Sequence, residues 1–366
     1  MLWTALQLAA GGLALVLAAV TLLPLSGRKE WWIRMWDFPR AQIAAVLPVA
    51  MALALTLPAP LRWGALAALA ACLLYQCWRI LPFTPLARRE MEFATEAAPD
   101  RDVRLLAANV LMENAQHAKV RALVADKDPD VLLLMETDAT WVAALEPVLA
   151  RYPTVLREPR DNYYGMVFAT RLRAAEARVV YLTTDDTPSV YAELSAPDGA
   201  RFHFLGLHPR PPVPGEDTHE RDAQILYSAR FARNSDTPVV TMGDFNDAAW
   251  SDTSQRFKHV GGYLDPRIGR GLYASFDASH PLIRCPIDQL FVSEGVAMIA
   301  FGRGPQIGSD HFPMTATIRI DAALAARLNR PPAPLAGQAR ADVEKGVAAH
   351  RGRLEAAARR NGGRAR

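Results

Sequence analysis

Cysteine is scarce in this chain, and its positions disfavour two kinds of structure. Only three cysteines occur among 366 residues. Cys72 and Cys77 lie in an apolar run, whereas Cys285 stands alone in a more polar region. These positions indicate neither a disulfide framework nor a CxxC metal site.

Clustered positive charge is missing from the middle of the chain. The whole chain has a net charge of +3, but residues 92–320 contain 23 Lys and Arg against 31 Asp and Glu, a net charge of −8. Both flanks are basic, with +5 in residues 1–91 and +6 in residues 321–366. Non-specific binding of nucleic acid needs clustered positive charge. The acidic middle therefore disfavours a strong general nucleic-acid binder.

Charge is nearly absent from three long stretches near the amino terminus, 2–25, 42–59 and 63–83. Each is about long enough to cross a ~30 Å hydrocarbon layer. The first run lacks the preceding Lys or Arg of a cleavable signal peptide. Tryptophans lie near the ends of the runs, where interfacial aromatics belong: Trp31, Trp32, Trp36, Trp63 and Trp78. We therefore predict three transmembrane helices with short loops in residues 1–91, against the alternative of buried soluble helices.

The distribution of basic residues predicts the orientation of these helices. Three crossings place residues 92–320 on the same side as the loop between the first two runs. That side holds Arg28, Lys29, Arg34, Arg40, Arg88 and Arg89, whereas the other side shows only Arg62 and the amino terminus. The positive-inside rule then predicts a multi-pass protein of a bacterial-type inner (cell) membrane, with residues 92–320 in the cytoplasm.

Strand and helix patterns alternate after residue 92. Apolar runs predict strands at 103–108, 131–135, 165–170, 178–182, 190–195, 202–207, 239–242, 288–292 and 313–318, and helices at 115–125, 140–150 and 218–233. From residue 321 the composition turns to Ala, Arg and Pro. We expect 321–366 to be a basic tail, partly disordered or helical at 342–360, and either solvated or held against an anionic membrane surface.

The stretch PVVTMGDFN, residues 238–246, carries the clearest local pattern. An apolar strand ends at Gly243, and Asp244 and Asn246 follow at a spacing of two. If the strand geometry continues, both side chains point the same way. A carboxylate can bind a hard cation or accept a proton from water, and an amide can donate to a phosphate oxygen. The alternative is a simple Asp/Asn turn.

Polar residues also follow or precede other predicted strands: Asn109, Glu136, His208, Asp288, Asp310 and His311. Strand ends on one edge of a sandwich line one cleft, so we predict that these residues converge. Asn109 alone could be a turn residue, and Asp310 with His311 could be a turn before a strand. A carboxylate at the end of an apolar strand, as at Glu136, is costly unless it is paired or binds a metal.

These motifs resemble the endonuclease/exonuclease/phosphatase superfamily, which has the deoxyribonuclease-I-like fold, here as a membrane-anchored bacterial type. Six motifs occur in the family's order across residues 104–319: NV, DPDVLLLMET, LHPRPP, GDFN, PIDQLFV and SDHFP. The resemblance implies an α+β protein. It predicts a four-layer α/β/β/α sandwich for the catalytic domain, 92–320, after an all-α transmembrane region.

The resemblance also implies a metal-dependent phosphoester hydrolase that uses Mg²⁺, with Mn²⁺ as an alternative ion. Glu136 would be the principal metal ligand, with Asn109 beside it and Asp310 nearby. Asp244 would orient or deprotonate the attacking water, and Asn246 would hold a phosphate oxygen.

For the histidines, the resemblance implies that His311 stabilises the developing charge or protonates the leaving group, while Asp288 holds its imidazole. His208 would be a second phosphate-facing histidine.

Residues 261–286 are expected to form a substrate rim, in which Arg267 and Arg270 either contact a second phosphate or only solvate the loop.

The sequence thus predicts a membrane-embedded phosphodiesterase or phosphatase. The acidic domain favours a small-molecule or lipid-head-group substrate over nucleic acid. An endo- or exonuclease on the same site is one alternative, and a non-catalytic membrane scaffold is another. Neither the substrate nor the oligomeric state follows from the sequence.

Overall fold

The computed structural model describes residues 1–183 and 186–331. From residue 102 onward, two β-sheets pack face to face and helices cover both outer faces. The predicted α+β, four-layer sandwich after a helical region is therefore confirmed. Most of the basic tail, including the predicted helix at 342–360, lies outside the described residues.

Four helices precede the sandwich: α1 (Leu2–Leu22), the single-turn α2 (Trp31–Arg34), α3 (Arg40–Ala54) and α4 (Ala59–Ile80). By length and composition, Leu2–Ser26 and Ala59–Phe83 could each cross a membrane, and only 33% and 17% of their most apolar stretches are buried. The helix expected at 42–59 is shorter than predicted, since α3 has 15 residues. It therefore rises only about 22 Å along its axis. Two apolar helices thus suggest membrane association.

Buried polar side chains tie three of these helices together at one end. Arg40 donates from Nη1 to Gln76 Oε1 at 3.1 Å and from Nη2 to Asp37 Oδ1 at 2.6 Å. Gln76 in turn donates from Nε2 to Thr21 Oγ1 at 3.1 Å. Thr21 and Gln76 lie near the carboxyl ends of α1 and α4, and Arg40 begins α3. The three helix ends therefore meet at one level, which we call the polar layer.

The first sheet contains β1 (Asp102–Asn109), β2 (Val131–Met135), β3 (Thr154–Glu158), β4 (Met166–Thr170), β10 (Val296–Arg303) and β11 (Met314–Ile320), in the order β10-β11-β1-β2-β4-β3. Two helices, α5 (His117–Lys127) and α6 (Ala139–Leu149), cover its outer face. Trp141 on α6 is completely buried in this layer. The strands β1 and β2 are parallel, so their carboxyl ends share one edge of the sheet.

The second sheet contains β5 (Arg173–Val180), β6 (Ser189–Ser195), β7 (Arg201–Leu207), β8 (Val239–Asp244) and β9 (Asp288–Val292), in numerical order. On its outer face lie α7 (His219–Arg233) and α8 (Asp252–Gly261). Phe168 and Phe204 meet between the two sheets with ring centroids 5.5 Å apart. This inner layer is the main hydrophobic core of the domain, and burial of its apolar surface stabilises the stack.

The helical region is packed against the sandwich through polar as well as apolar contacts. The Trp250 indole donates to the carbonyl of Asp37 at 2.5 Å, and Lys29 Nζ lies 2.5 Å from Asp222 Oδ2. The short final helix, α9 (Ala322–Leu328), follows β11. The sandwich is thus held in one orientation relative to the polar layer.

Candidate active site

Parallel strands bring four of the predicted residues to one edge of the sandwich. Asn109 ends β1 and Glu136 follows β2, and these strands are parallel neighbours in the first sheet. His208 follows β7 and Asp244 ends β8, which are parallel neighbours in the second sheet. The amide of Asn109 joins the two sheets, because its Nδ2 donates to both Glu136 and Asp244.

Antiparallel strands deliver the remaining residues to the same edge. Asp288 begins β9 and pairs in register with Asp244. Because β11 runs antiparallel to β1, His311 enters from the loop before β11. Ser309 fixes this loop by donating from Oγ to the carbonyl of Asn109 at 2.9 Å, and it accepts the His311 N–H at 2.9 Å. The predicted convergence of strand ends is therefore present in the structure.

Asp244 lies at the centre of the cluster and is almost completely buried. Its Oδ2 atom accepts from Asn109 Nδ2 at 3.1 Å. The same oxygen lies 3.7 Å from His208 Nε2 and 3.6 Å from His311 Nε2. Its other oxygen accepts the backbone N–H of Asn246 at 2.8 Å. A carboxylate fixed in this way can orient a water molecule and accept its proton.

His311 is held by a second carboxylate. Its Nδ1 lies 2.7 Å from Asp288 Oδ2. Burial lowers the pKa of His311, but Asp288 and Asp244 outweigh it and raise the value to about 10. The imidazole is therefore protonated at neutral pH and can donate a proton from Nε2.

His208 has the opposite protonation. Its burial, opposed by Asp244, lowers its pKa to about 4, so the ring is neutral at pH 7. Its Nδ1 is buried and has no hydrogen-bond partner among the residues that the structure describes, and the centroid of the Tyr164 ring lies 5.5 Å from that of the imidazole. The two histidines therefore differ in charge although both lie beside Asp244.

Glu136 is a carboxylate in a partly buried position, held by hydrogen bonds. Its backbone has φ of 62°, which turns the chain away from β2. Asn109 donates to Oε1 at 2.7 Å, and the Met112 N–H lies 3.4 Å from Oε2. Burial raises the pKa of Glu136 to about 7, although the Asn109 hydrogen bond opposes it. The amide nitrogen of Asn109 faces the carboxylates, so Asn109 orients the predicted metal ligand instead of presenting its oxygen.

The available oxygen donors fit a hard divalent cation. Burial also raises the pKa of Asp310, and within residues 1–183 and 186–331 no ion pair joins Glu136 or Asp310 to Lys or Arg. Oxygen-only donors suit Mg²⁺. Asp244, Asp288 and His311 also have ligand atoms within 4.8 Å of one another. That group fits a cation less well, because a protonated imidazole bound to Asp288 has no free lone pair.

Asn246 departs from the strand geometry assumed for GDFN. Its φ is 46°, so the chain turns left-handed directly after β8. Its Nδ2 donates to the carbonyl of Pro209 at 3.0 Å, and its own carbonyl accepts from Arg221 Nη1 at 3.1 Å. Contrary to the prediction, Asp244 and Asn246 do not share a strand face, because the strand ends between them.

The two arginines predicted to contact substrate lie elsewhere. Arg267 is completely buried, with Nη2 2.7 Å from Asp265 Oδ2 and 2.9 Å from Gln289 Oε1. Its burial contradicts the prediction that it contacts substrate, since no part of the side chain is accessible. The Arg270 guanidinium lies 3.7 Å from the centroid of the Phe93 ring. Both side chains pack within the domain.

Sequence reasoning missed several residues that support the site. Ser309 precedes the predicted Asp310 and lies within the same motif, so proximity could have found it. Tyr164, Phe276 and Arg221 come from separate loops and a helix, and no local pattern marks them. Phe276 packs on His311 with ring centroids 5.0 Å apart. Only tertiary contact identifies such residues.

Comparisons with known proteins agree with this arrangement. The sequence profile of the Endonuclease/Exonuclease/phosphatase family matches residues 106–311. No curated protein matches the chain.

Solved structures resemble the sandwich at low sequence identity. D. rerio TDP2 complexed with single strand DNA product is 16% identical, with a TM-score of 0.50 over 60% of this chain and 99% of that chain. A functionally unknown conserved protein from Enterococcus faecalis V583 is also 16% identical, with a TM-score of 0.50 over 60% of this chain and 100% of that chain. An endonuclease/exonuclease/phosphatase from Bacteroides vulgatus is 18% identical, with a TM-score of 0.49 over 60% and 99%. At these identities the likeness concerns the fold alone. The profile match covers more than half of the chain, so the chain belongs to the endonuclease/exonuclease/phosphatase family and is a metal-dependent hydrolase of phosphate esters.

Proposed function

We propose that this protein is a membrane-anchored, Mg²⁺-dependent phosphodiesterase or phosphatase that acts on a small molecule or a lipid head group. One observation carries the proposal: Asp244 Oδ2 lies between a neutral imidazole, His208, and a protonated one, His311. A buried carboxylate and a proton donor within 4 Å supply the base and the acid of one hydrolysis.

The proposed reaction uses water as the nucleophile. Asp244 orients the water and accepts its proton while the water oxygen joins phosphorus. The bond from phosphorus to the leaving oxygen breaks, and His311 donates its Nε2 proton to that oxygen. Asp288 keeps the imidazole charged and oriented before this step. His208 and Asn246 lie beside Asp244, where they can contact the phosphate oxygens.

The carboxylates of Glu136 and Asp310 would hold the cation, and Asn109 would fix the orientation of Glu136. A bound Mg²⁺ neutralises charge on the non-bridging phosphate oxygens. An oxygen-rich pair of ligands suits this ion, which keeps several of its own waters.

The path of the chain supports a topology with three crossings. Both α1 and α4 end at the polar layer, so the chain must return between them, and α3 makes that return. Gln7 Nε2 near the start of α1 donates to the carbonyl of Thr56, just beyond α3, at 2.7 Å. If α1 and α4 both cross a bilayer, α3 together with the residues that follow it returns the chain between them. Together with the basic loop, this supports a multi-pass inner-membrane protein with a cytoplasmic catalytic domain.

The proposal is tested with the full chain purified in detergent. We expect it to hydrolyse bis(4-nitrophenyl) phosphate or a phosphomonoester with Mg²⁺ or Mn²⁺, and to stop when EDTA is added. Asp244→Asn should reduce turnover at least about a hundredfold. Single-stranded and double-stranded DNA are tested in parallel. Faster hydrolysis of DNA than of every small or lipid substrate would favour a nuclease, and no hydrolysis at all would favour a scaffold.

A further inference from the structure

The loop before β9, which has Phe276 at the cleft and Leu282 at its outer tip, connects the cleft to the helical region. At the cleft, the Phe276 ring packs on the His311 ring, and the Ala278 N–H donates to the carbonyl of Asp310 at 2.6 Å. The loop then runs outward and returns to Asp288. Any contact made by its outer tip is therefore made by a segment that also forms a wall of the cleft.

The tip of this loop is apolar, exposed and fixed beside the polar layer. The side chain of Leu282 is 82% exposed and that of Ile283 is 57% exposed. Gln42, in the first turn of α3, donates from Nε2 to the carbonyl of Leu282 at 3.0 Å and to that of Arg284 at 2.9 Å. The two exposed side chains therefore lie where α3 begins, at the end of the helical region that faces the sandwich.

The same end of the helical region exposes other large apolar side chains. Trp32 is 45% exposed, Trp78 is 64% exposed, and Leu86, shortly after α4, is 86% exposed. Tryptophan is enriched where hydrocarbon meets water, and soluble surfaces rarely expose large apolar patches without a partner. The loop tip thus continues the apolar surface of the membrane-anchoring helices.

Two guanidinium groups meet at the ring of the residue that follows His311 in the chain. The side chains of Arg284 and Arg303 lie over the ring of Phe312, 4.7 Å and 4.1 Å from its centroid. Phe312 directly follows His311 in the chain. Both arginines donate only to backbone carbonyls, and among the described residues no carboxylate pairs with either. Two like charges that no carboxylate of the described residues neutralises can attract an anion.

We propose that Leu282 and Ile283 lie in the membrane interface, and that Arg284 and Arg303 bind a second anionic group on the lipid head group being hydrolysed. This inference rests on the proposed function and narrows its substrate class. The substrate is a membrane lipid whose head group carries another phosphate or carboxylate near the scissile phosphoester.

The anion site is tested in nanodiscs with the full chain and a soluble phosphodiester as the reporter substrate. Cardiolipin, which has two phosphates, serves as the lipid probe, and phosphatidylcholine alone is the reference. We expect cardiolipin to compete with the reporter and to raise its apparent KM about tenfold, a factor equivalent to about 1.4 kcal/mol. The double variant Arg284→Gln/Arg303→Gln should reduce that rise to less than twofold.

The matched control removes one arginine from the far edge of the second sheet. Arg173 lies on β5, the edge strand opposite β9, and Arg173→Gln should keep the full effect of cardiolipin. A wild-type KM that does not respond to cardiolipin, or an equal response in the double variant, would overturn the anion site. If neither a phosphodiester nor a phosphomonoester is hydrolysed even in phosphatidylcholine nanodiscs, the proposed function fails instead.

The membrane position of the tip is tested without an activity assay. A spin label is placed at Leu282→Cys in a Cys77→Ala background, since Cys72 and Cys285 are buried. We expect the label to collide more often with oxygen than with a water-soluble nickel chelate, whereas a label at Tyr181→Cys shows the reverse. Equal access of the nickel chelate to both labels would overturn membrane insertion of the tip.

Discussion

The Oδ2 atom of Asp244 lies 3.6 Å from Nε2 of His311. The other ring nitrogen of His311 faces Asp288 at 2.7 Å, so the imidazole lies between two carboxylates. Burial alone would favour a neutral ring, yet the two negative charges raise the pKa of His311 to about 10. The site therefore keeps an acid next to its base at neutral pH.

Asp288→Asn should lower the pKa of His311 toward the ordinary 6.5, because one of the two charges that stabilise the imidazolium is removed. The wild-type ring carries its extra proton below about pH 10 and loses the acid form as the pH rises through that value. In the variant, the alkaline fall of turnover should move to lower pH. NMR titration of the imidazole in metal-free protein measures the pKa directly. Asp198→Asn, which affects an ion pair with Arg101, should leave the profile unchanged; an unchanged profile in Asp288→Asn would contradict the role given to Asp288.

Glu136→Gln should abolish tight metal binding and reduce turnover by about 10²–10³ or more. It should also change the pH dependence of stability in metal-free protein. Burial raises the pKa of Glu136 from 4.5 to about 7, so the wild-type fold loses stability as the pH rises between these values, and the variant does not. We expect the metal-free variant to melt above the wild type at pH 8 and close to it at pH 4.5. Mg²⁺ should raise the melting temperature of the wild type only; a similar rise in both would rule out Glu136 as a ligand.

Gly243→Ala should displace Asp244. Gly243 has φ of 149°, and a Cβ atom there would lie 2.0 Å from the carbonyl oxygen of Leu207 on the neighbouring strand. The backbone of β8 must therefore shift, and a misplacement of about 1 Å can cost about a hundredfold in rate. Turnover and melting temperature should both fall. Gly302→Ala is the matched control, since its nearest contact would be an ordinary 3.6 Å; equal losses in both variants would show that the close approach at Gly243 does not matter.

Arg221→Met should destabilise the fold by about 3–5 kcal/mol, because it removes a buried cation that lies between two buried carboxylates. Arg221 is almost completely buried, and it contacts Asp222 at 2.8 Å and Asp247 at 3.2 Å. It also donates to the carbonyl of Asn246, so turnover should fall with stability. Thermal unfolding in detergent measures the first effect. Arg201→Met removes an arginine with a 68% exposed side chain and should change stability by about 1 kcal/mol or less; similar losses in both variants would argue against the buried network.

Long apolar strands were predictable because their composition alone separates them from helices and loops. The predicted strand at 131–135 coincides with β2, and that at 288–292 coincides with β9. By contrast, β3, β10 and α8 were missed. TVLRE and VAMIAFGR lack a clear alternation, and DTSQRFKHVG has few apolar residues. The strand predicted at 178–182 lies instead at Arg173–Val180, since pairing with β6 decides its bounds.

Residue type and position relative to a strand identified the chemistry of the site before any contact was known. Polar residues at the ends of apolar runs form a local pattern that a single sequence is enough to show. These residues are Asn109, Glu136, His208, Asp244 and Asp288. Such a pattern predicts which side chains lie at one edge of the β-sheets. It does not state which atoms face each other.

The sequence by itself determined most of the strands, the acidic middle of the chain, and the acids, amides and histidines available to one cleft, because these depend on composition and near neighbours. Tertiary structure alone decided the protonation and the geometry. Burial beside Asp288 makes His311 an acid, burial without such a partner keeps His208 neutral, and pairing with Asp265 withdraws Arg267 from solvent. Desolvation and charge pairing arise between segments far apart in the chain, so no local pattern encodes them.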